Sequence, residues 1–333
     1  MASKLSSKSV ISAATGLQLP VIGLGTFQNW EEAVLVKTLN TALELGYRLI
    51  DTAFLYHNEH IIGKVLQEWF ISGRLRRDDI FITTKLPPQG ANPKYVEEFI
   101  EKQLKALQLE YVDLYLVHHA IGWKHGEELH LSEGDNDNSG LQLDPTTDHV
   151  AIWKEMERQV DAGRAKYIGL SNFNINQIKR VMKTARIPPS NLQIELNLFL
   201  QSKEEQEFCR KHGITITSYA TLGSPGVPQG FFIGAYENPL KDPLVEKLAL
   251  TYQKTPAQVL LRHVVQLGVA VIPKSAHPLR LKENLDIFDF ELTEADMCQL
   301  NALDRGEAAR KFVLQVYSSH PENPYPSTRV QHK

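Results

Sequence analysis

Residues 48–59 read Arg-Leu-Ile-Asp-Thr-Ala-Phe-Leu-Tyr-His-Asn-Glu. The apolar run at 47–50 predicts a buried strand, and the residues after it predict a polar turn that leads into a helix. Asp51 ends the strand and Tyr56 lies in the turn. Gly, Asn or Ser would be ordinary residues at such a position, so a carboxylate and a phenol there indicate a functional site.

Two later strands end in polar residues in the same way. Lys85 follows Ile-Phe-Ile-Thr-Thr, and His118 follows Leu-Tyr-Leu-Val. The active sites of (β/α)8 barrels lie at the carboxyl-terminal ends of the strands. An amine and an imidazole at two such ends therefore join Asp51 and Tyr56 as candidate catalytic residues.

Length and composition are typical of a soluble globular protein. The chain has 333 residues, of which 42% are hydrophobic and 23% are charged. Its net charge of −3 predicts no general attraction to nucleic acid or to a membrane surface. No apolar run reaches the roughly 20 residues that a membrane span needs. The N-terminus lacks the apolar centre of a signal peptide and the two cysteines fit reduced thiols, so a cytoplasmic location is expected.

Eight apolar runs predict strands, and a helical pattern separates nearly all of them. They lie near 21–25, 47–50, 80–84, 112–117, 165–170, 192–195, 214–218 and 269–272. This alternation predicts an α/β fold, a parallel (β/α)8 TIM barrel that residues 1–333 form as one domain. A hairpin at about 9–20 is expected to cap it at the N-terminal side. Asn92, with Pro93 at the first helical position, is predicted to cap the helix after the third strand.

Five segments together resemble a known family. They read Gly-Leu-Gly-Thr at 23–26, Gly-Tyr-Arg-Leu-Ile-Asp-Thr-Ala at 46–53, Asp-Leu-Tyr-Leu-Val-His at 113–118, Gly-Leu-Ser-Asn-Phe at 169–173 and Ile-Pro-Lys-Ser at 272–275. In this order and at these spacings the sequence resembles the aldo-keto reductases, in the branch of aldose reductase and the NADP-dependent alcohol dehydrogenases. The resemblance implies a monomeric, NADPH-dependent enzyme that reduces a small carbonyl compound. The tetrad of this family falls on Asp51, Tyr56, Lys85 and His118.

These four residues suit hydride transfer to a carbonyl. The reaction leaves a developing alkoxide that needs a proton, and a phenol with a pKa near 10 is too weak an acid at neutral pH. We expect Lys85 to lower the pKa of Tyr56, and Asp51 to hold Lys85 in place and charged. His118 would orient the carbonyl through a hydrogen bond. The alternative is an ordinary barrel salt bridge beside a buried tyrosine and a buried histidine.

The first strand is not followed by the Gly-x-Gly-x-x-Gly motif, so a Rossmann cofactor site is not supported. The cofactor site is instead implied by the resemblance. NADP(H) would lie extended across the barrel mouth, with Ser171, Asn172 and Gln193 at its carboxamide. Tyr219 would stack on the nicotinamide. Lys274, Ser275 and Arg280 would hold the 2′-phosphate. The remaining expected cofactor residues are Gly25, Thr26, Asp51, Leu222, Ser224, Glu283 and Asn284.

Substrate choice is expected to depend on three long segments, 119–149, 223–236 and 304–333. Aldose-reductase-like members often carry Trp at the positions of Phe27 and His119, so a less aromatic and more polar pocket is predicted. The candidate substrate residues, each equally explained as a packing residue, are Phe27, Phe54, His119, Trp123, Phe312 and Tyr317. Aldehydes are the expected substrates, and a steroid or ecdysteroid ketone is the alternative because the first segment is long.

Gln28 and Gly226 depart from those relatives together. There, a lysine and an aspartate at these positions tie the 223–236 segment down over the cofactor. The absence of both predicts a more loosely held segment and faster release of NADP+.

The alternatives are a non-catalytic binding protein, an enzyme of another class and a metal site. A cofactor-binding protein without catalysis, crystallin-like or channel-regulatory, would keep the fold but would not need the intact tetrad. A lyase or isomerase on the same barrel would bind no nicotinamide. No metal site is expected, because His118 and His119 would point to opposite faces of a continuing strand.

Overall fold

Parallel strands form the central sheet, and this sheet closes on itself. The computed structural model describes residues 5–126, 141–226 and 237–325. In chain order its strands are β1 (Val10–Ser12), β2 (Gln18–Pro20), β3 (Leu24–Gly25), β4 (Leu49–Asp51), β5 (Phe81–Leu86), β6 (Val112–Val117), β7 (Gly122–Trp123), β8 (Leu143–Asp144), β9 (Ala165–Ser171), β10 (Asn191–Glu195), β11 (Thr215–Tyr219) and β12 (Ala270–Val271). Eight of them, β3 to β6 and β9 to β12, are parallel neighbours in that order.

Hydrogen bonds between the first and last strands close the barrel. Val271 N donates to Val21 O at 3.0 Å, and Gly23 N donates to Val271 O at 2.9 Å. Close approach at this seam explains one glycine, since a Cβ on Gly25 would lie 2.5 Å from Ile272 O. The predicted (β/α)8 barrel is confirmed.

Helices connect successive barrel strands, as the sequence predicts. They are α1 (Glu32–Leu45), α2 (Glu59–Ile71), α3 (Val96–Leu107), α4 (His149–Asp161), α5 (Ile175–Met182), α6 (Lys203–His212), α7 (Pro243–Tyr252), α8 (Pro256–Gln266), α9 (Pro278–Leu285) and α10 (Glu294–Asn301). The predicted start of α3 is wrong. Asn92 Oδ1 accepts a hydrogen bond from Lys94 N at 3.1 Å, so this side chain stabilises a local turn and the helix begins only at Val96.

The barrel gathers the candidate catalytic side chains at one end. Asp51 is the last residue of β4, and His118 follows β6 directly. Lys85 does not follow its strand as predicted, because β5 continues to Leu86. Since all these strands are parallel, their carboxyl-terminal ends form one rim, and the side chains converge there.

The opposite end of the barrel is covered by the antiparallel hairpin β1–β2. Leu17 and Leu19 are buried in one cluster with Leu49 and Ala270, which confirms the predicted N-terminal cap. A second antiparallel pair, β7–β8, lies within the predicted irregular segment 119–149. These strands have two residues each, too few to show a period-two pattern in the sequence. Residues 127–140 lie outside the described ranges.

The C-terminal tail returns across the barrel. His320 Nε2 lies 3.0 Å from Asp144 O, and Arg180 forms an ion pair with Glu322 at 2.5 Å. Within the described ranges, no helix combines the length and the apolar character that crossing a membrane requires.

Candidate active site

Lys85 lies at the centre of the candidate catalytic group and is fully buried. Its ammonium donates to Asp51 Oδ1 at 2.6 Å, to Thr52 O at 2.9 Å and to Tyr56 Oη at 3.4 Å. An ammonium has three donors, and each of them has an acceptor here. Burial lowers the pKa of Lys85, but Asp51 and Tyr56 outweigh burial and raise it overall, so Lys85 stays charged.

The turn that carries Tyr56 is held by side chains of its own segment. Phe54–Tyr56 forms a single 3₁₀ turn, and His57 ends it in the left-handed region at φ 52°. Asn58 fixes the next step, because its Oδ1 accepts from Thr52 Oγ1 and its Nδ2 donates to Thr26 O, both at 2.9 Å. The bond between Thr52 and Asn58 therefore shapes the turn within its own segment, and the bond to Thr26 O attaches it to the chain that follows β3.

Burial dominates the acidity of Tyr56. It raises the pKa of the phenol, Lys85 opposes it, and the carboxylate of Asp51 raises the pKa further. The net pKa therefore lies above its ordinary value, and the lowering expected from Lys85 alone is outweighed by burial. Tyr56 is thus a protonated donor throughout the neutral pH range.

His118 is a neutral imidazole in this site. Burial holds its pKa well below the ordinary value, and the neighbouring His119 ring and the ammonium of Lys85 lower it further. Its ring lies edge-on to Tyr56, with 5.8 Å between ring centroids. Among the described residues, its Nδ1 has no hydrogen-bond partner, and Asn172 Nδ2 donates to its backbone carbonyl at 2.9 Å. A neutral ring beside the phenol suits a hydrogen bond to a carbonyl oxygen.

A second buried carboxyl group, which the sequence reading missed, lies behind Lys85. Glu59 Oε1 accepts from Thr84 Oγ1 at 2.5 Å and from Gln103 Nε2 at 3.0 Å. The same Gln103 nitrogen lies 3.1 Å from Lys85 O, and Gln103 Oε1 accepts from Tyr115 Oη at 2.9 Å. Burial raises the pKa of Glu59 to about 7, although the two hydrogen bonds and Lys85 oppose the rise.

Glu59→Gln is expected to gain stability over the wild type as pH rises. Because the pKa of Glu59 goes from 4.5 to about 7 on folding, the unfolded chain releases this proton first, and the folded state loses stability between these values. Integrated over that window, the effect is about 3 kcal/mol at most. Urea denaturation at pH 5 and pH 8 measures it, with the exposed Glu68→Gln on α2 as the matched control. Equal pH dependence in wild type and Glu59→Gln would contradict the assignment.

One cavity of about 960 Å³ extends across the barrel mouth. Pockets for small molecules and cofactors are commonly about 300–1,000 Å³, so this cavity is large enough for a dinucleotide and a small substrate. Every predicted cofactor residue lies in its lining, and so do Asp51, Tyr56 and His118. Lys85 does not line it and acts from behind Tyr56. The residues present therefore fit an extended dinucleotide.

The polar residues at the inner part of the cavity are largely committed to one another. Gln193 Nε2 donates to Asp51 Oδ2 at 2.7 Å, which leaves its Oε1 for a ligand. Asn172 Oδ1 accepts from Tyr219 Oη at 2.7 Å, so Asn172 orients the Tyr219 ring. The edge of that ring meets Phe312, with the ring centroids 5.4 Å apart at 87°.

Part of the cavity lining carries positive charge. Lys274 and Arg280 line it together with Ser275 and His277. Ser275 Oγ accepts from His277 N at 3.1 Å, at the residue that precedes α9. Two cations beside a helix N-terminus suit a phosphate group.

Five of the six predicted substrate residues line the cavity: Phe27, His119, Trp123, Phe312 and Tyr317. Phe54 does not, because its ring packs edge-on against Phe99 on α3, with ring centroids 5.0 Å apart. Trp123 Nε1 donates to Tyr317 Oη at 2.9 Å. Apolar lining residues are indistinguishable by type from ordinary core residues, and those that the sequence did not single out include Leu55, Ile121, Val313 and Leu314.

His118 and His119 lie on the same side of the chain. Their rings stack with centroids 4.8 Å apart at 25°, whereas opposite faces were expected. The strand ends at Val117, so its alternation does not continue. The described residues contain no group of three or more His, Cys, Asp or Glu side chains that suits a metal ion. Burial lowers the pKa of His119 to about 4, so it is neutral.

These features define a (β/α)8-barrel enzyme with a tyrosine–lysine–aspartate–histidine group beside a dinucleotide-sized cavity. Residues 21–305 match the model of the Aldo/keto reductase family. The chain belongs to this family and is an oxidoreductase that acts on carbonyl and CH–OH groups.

Relatives match over almost the whole chain. Aldo-keto reductase family 1 member A1-A from Danio rerio is 40% identical over 305 residues, which cover 91% of each chain. Aldo-keto reductase family 1 member D1 from Mus musculus is 36% identical over 321 residues, or 95% of this chain and 96% of the relative. Among solved structures, the aldose reductase from Schistosoma japonicum superposes with a TM-score of 0.85 at 40% identity, covering 96% of this chain and 99% of that one.

Proposed function

We propose that this protein reduces aldehydes and ketones to alcohols with NADPH as the hydride donor. Tyr56 is the general acid, Lys85 and Asp51 control its protonation, and His118 orients the carbonyl. The observation that carries the proposal is the contact of a charged, fully buried Lys85 with Asp51 at 2.6 Å and with Tyr56 at 3.4 Å.

The nicotinamide supplies the hydride when it is bound. The protein supplies the rest. His118 donates a hydrogen bond to the carbonyl oxygen and holds it near Tyr56. As negative charge grows on that oxygen, Tyr56 Oη transfers its proton to it, and Lys85 stabilises the phenolate that forms. Asp51 keeps Lys85 charged during this step through the ion pair at its Oδ1. Gln193 holds the other carboxylate oxygen in place.

Preference for NADPH over NADH is part of the proposal. Lys274 and Arg280 supply two positive charges in the lining of the cavity, before and within α9. A 2′-phosphate adds negative charge there, while the ribose hydroxyl of NADH does not. Charge-assisted hydrogen bonds to phosphate are roughly twice as strong as neutral ones, which supports discrimination at this point.

The catalytic end of the cavity supports an uncharged carbonyl substrate. Phe27, Trp123 and Tyr317 give it aromatic walls, and neutral His119 gives it one polar group. Aldehydes fit this lining, and a steroid or ecdysteroid ketone is the alternative physiological substrate.

A cofactor titration followed by a substrate panel tests the function. NADPH and NADH are titrated by quenching of protein fluorescence, and absorbance of the nicotinamide is then followed with aldehydes and ketosteroids. Tight NADPH binding with turnover of any carbonyl is the expected result. Tight binding without turnover of any substrate in the panel would favour a non-catalytic binding role. Absence of binding by either cofactor would contradict the proposed function.

A further inference from the structure

The C-terminal tail reaches both described ends of the 223–236 segment. Lys311 Nζ donates to Ser224 O at 2.6 Å and to Gly223 O at 3.3 Å. At the far end, Arg305 forms an ion pair with Glu237. Residues 305–311, which we call the tail clasp, therefore contact this segment where it leaves the barrel and where it returns.

The backbone at Lys311's acceptors has a constrained shape. Gly223 and Ser224 both have positive φ, at 73° and 46°, and Ser224 as a non-glycine residue is disfavoured there. A Cβ on Gly223 would lie 2.4 Å from Pro239 Cδ, so this turn is packed against the chain that follows the segment. Lys311 is 8% exposed, and its ammonium donates to two backbone carbonyls of this turn.

The barrel itself holds the tail clasp in position. Glu195 is the last residue of β10 and is fully buried. Its Oε1 accepts from Lys311 N at 2.9 Å, and its Oε2 accepts from Phe312 N at 2.9 Å. Arg310 lies 4.0 Å from the same carboxylate. The backbone of Lys311 is therefore attached to a barrel strand, and its side chain connects that strand to residues 223 and 224.

Residues next to these contacts line the dinucleotide part of the cavity. Leu222 and Ser224 both lie in its lining. Tyr219, which is expected to stack on the nicotinamide, ends β11 three residues before Leu222. We propose that Lys311 is a positioning residue that keeps residues 222–224 against the bound cofactor and thereby slows the departure of NADP+. The inference rests on the proposed function. It opposes the fast release predicted from Gln28 and Gly226, because the tail supplies a tie where the relatives' salt link is missing.

Lys311→Met tests the inference, since it keeps the length of the side chain and removes its donors. Stopped-flow displacement of bound NADP+ measures the release rate in the full chain. Loss of a charge-assisted hydrogen bond predicts release roughly 10-fold faster. The single-turnover rate of hydride transfer should stay unchanged, because the bonds that hold Lys85 come from Asp51, Thr52 and Tyr56. The matched control is Lys203→Met. Lys203 pairs with Asp304 at 3.0 Å and donates to Asn301 O at 3.1 Å, both near the start of the tail, so the release rate of this variant should equal that of the wild type.

A second variant guards against a folding defect. Lys311→Gln keeps a neutral donor, and its release rate should lie between those of wild type and Lys311→Met. Folded variants with wild-type release would overturn the inference, as would equal acceleration in Lys203→Met. Slower hydride transfer in parallel with faster release would show a general distortion and would also overturn the positioning role. A wild-type protein that binds no NADP+ would overturn the proposed function and this inference with it, whereas normal binding separates the two.

Discussion

Tyr56→Phe should lower kcat/KM for carbonyl reduction by roughly 100- to 10,000-fold, the range that a general acid contributes. In the proposed mechanism the phenol gives a proton to the substrate oxygen, and phenylalanine keeps the ring while removing that proton. The dissociation constant for NADPH should stay nearly unchanged, because Lys85 keeps its bonds to Asp51 and to Thr52 O. Steady-state kinetics and fluorescence titration measure the two quantities.

The control for this substitution is Tyr167→Phe. Tyr167 lies on β9, and its hydroxyl donates to Gly16 O at 3.1 Å, beside the N-terminal hairpin. The Tyr167→Phe substitution removes a phenol oxygen at the other end of the barrel and should leave turnover unchanged. Near-full activity in Tyr56→Phe would show that the proton comes from another group, and the mechanism proposed for Tyr56 would be wrong. A large loss of NADPH affinity would instead assign Tyr56 to cofactor binding.

Lys274→Met should weaken NADPH binding roughly 10- to 100-fold and leave NADH binding almost unaffected. A charge-assisted bond to phosphate contributes about 1.5–3 kcal/mol, and partial exposure of Lys274 places the expected effect toward the lower part of that range. Only NADPH carries the 2′-phosphate, so the ratio of the two dissociation constants isolates this contact. The preference of the wild type for NADPH over NADH should also fall as salt concentration rises, because exposed charges are screened.

Lys282→Met provides the matched control for this charge change. Lys282 is an exposed lysine on α9, and it does not line the cavity. Lys282→Met changes the net charge by the same amount within α9, shortly after Lys274 in the chain, so it should leave both cofactors' affinities near the wild-type values. If Lys274→Met weakened NADPH and NADH by the same factor, Lys274 would bind a part shared by both cofactors and the 2′-phosphate assignment would be wrong.

The two predictions test two groups in the lining of one cavity. Tyr56 acts at the buried, aromatic end, where burial keeps its pKa high and the phenol protonated. Lys274 acts at the exposed end beside α9. A protein that failed the first test and passed the second would bind NADPH without Tyr56-dependent reduction, which is the outcome that a cofactor-binding, non-catalytic protein predicts.

The order of strands and helices was readable from the sequence alone. Apolar runs separated by helical patterns predict parallel strands, and short connections leave few topologies open. The fold then brings Asp51, Lys85 and His118 to one rim because each lies at the carboxyl-terminal end of its strand. The turn with Tyr56 was also predictable, since Thr52 and Asn58 stabilise it within the same segment.

Contacts between distant segments were decided only by the tertiary structure. Glu59 looked like an ordinary first-turn glutamate of a helix, and only packing against Thr84 and Gln103 makes it a buried carboxyl group. Phe54 and Phe27 are the same residue type in similar turns, yet only Phe27 lines the cavity. Lys311 reaches carbonyls 87 and 88 residues away in the chain. Periodicity reports which face of an element is apolar, but which partner that face meets depends on non-local packing, which sequence patterns do not encode.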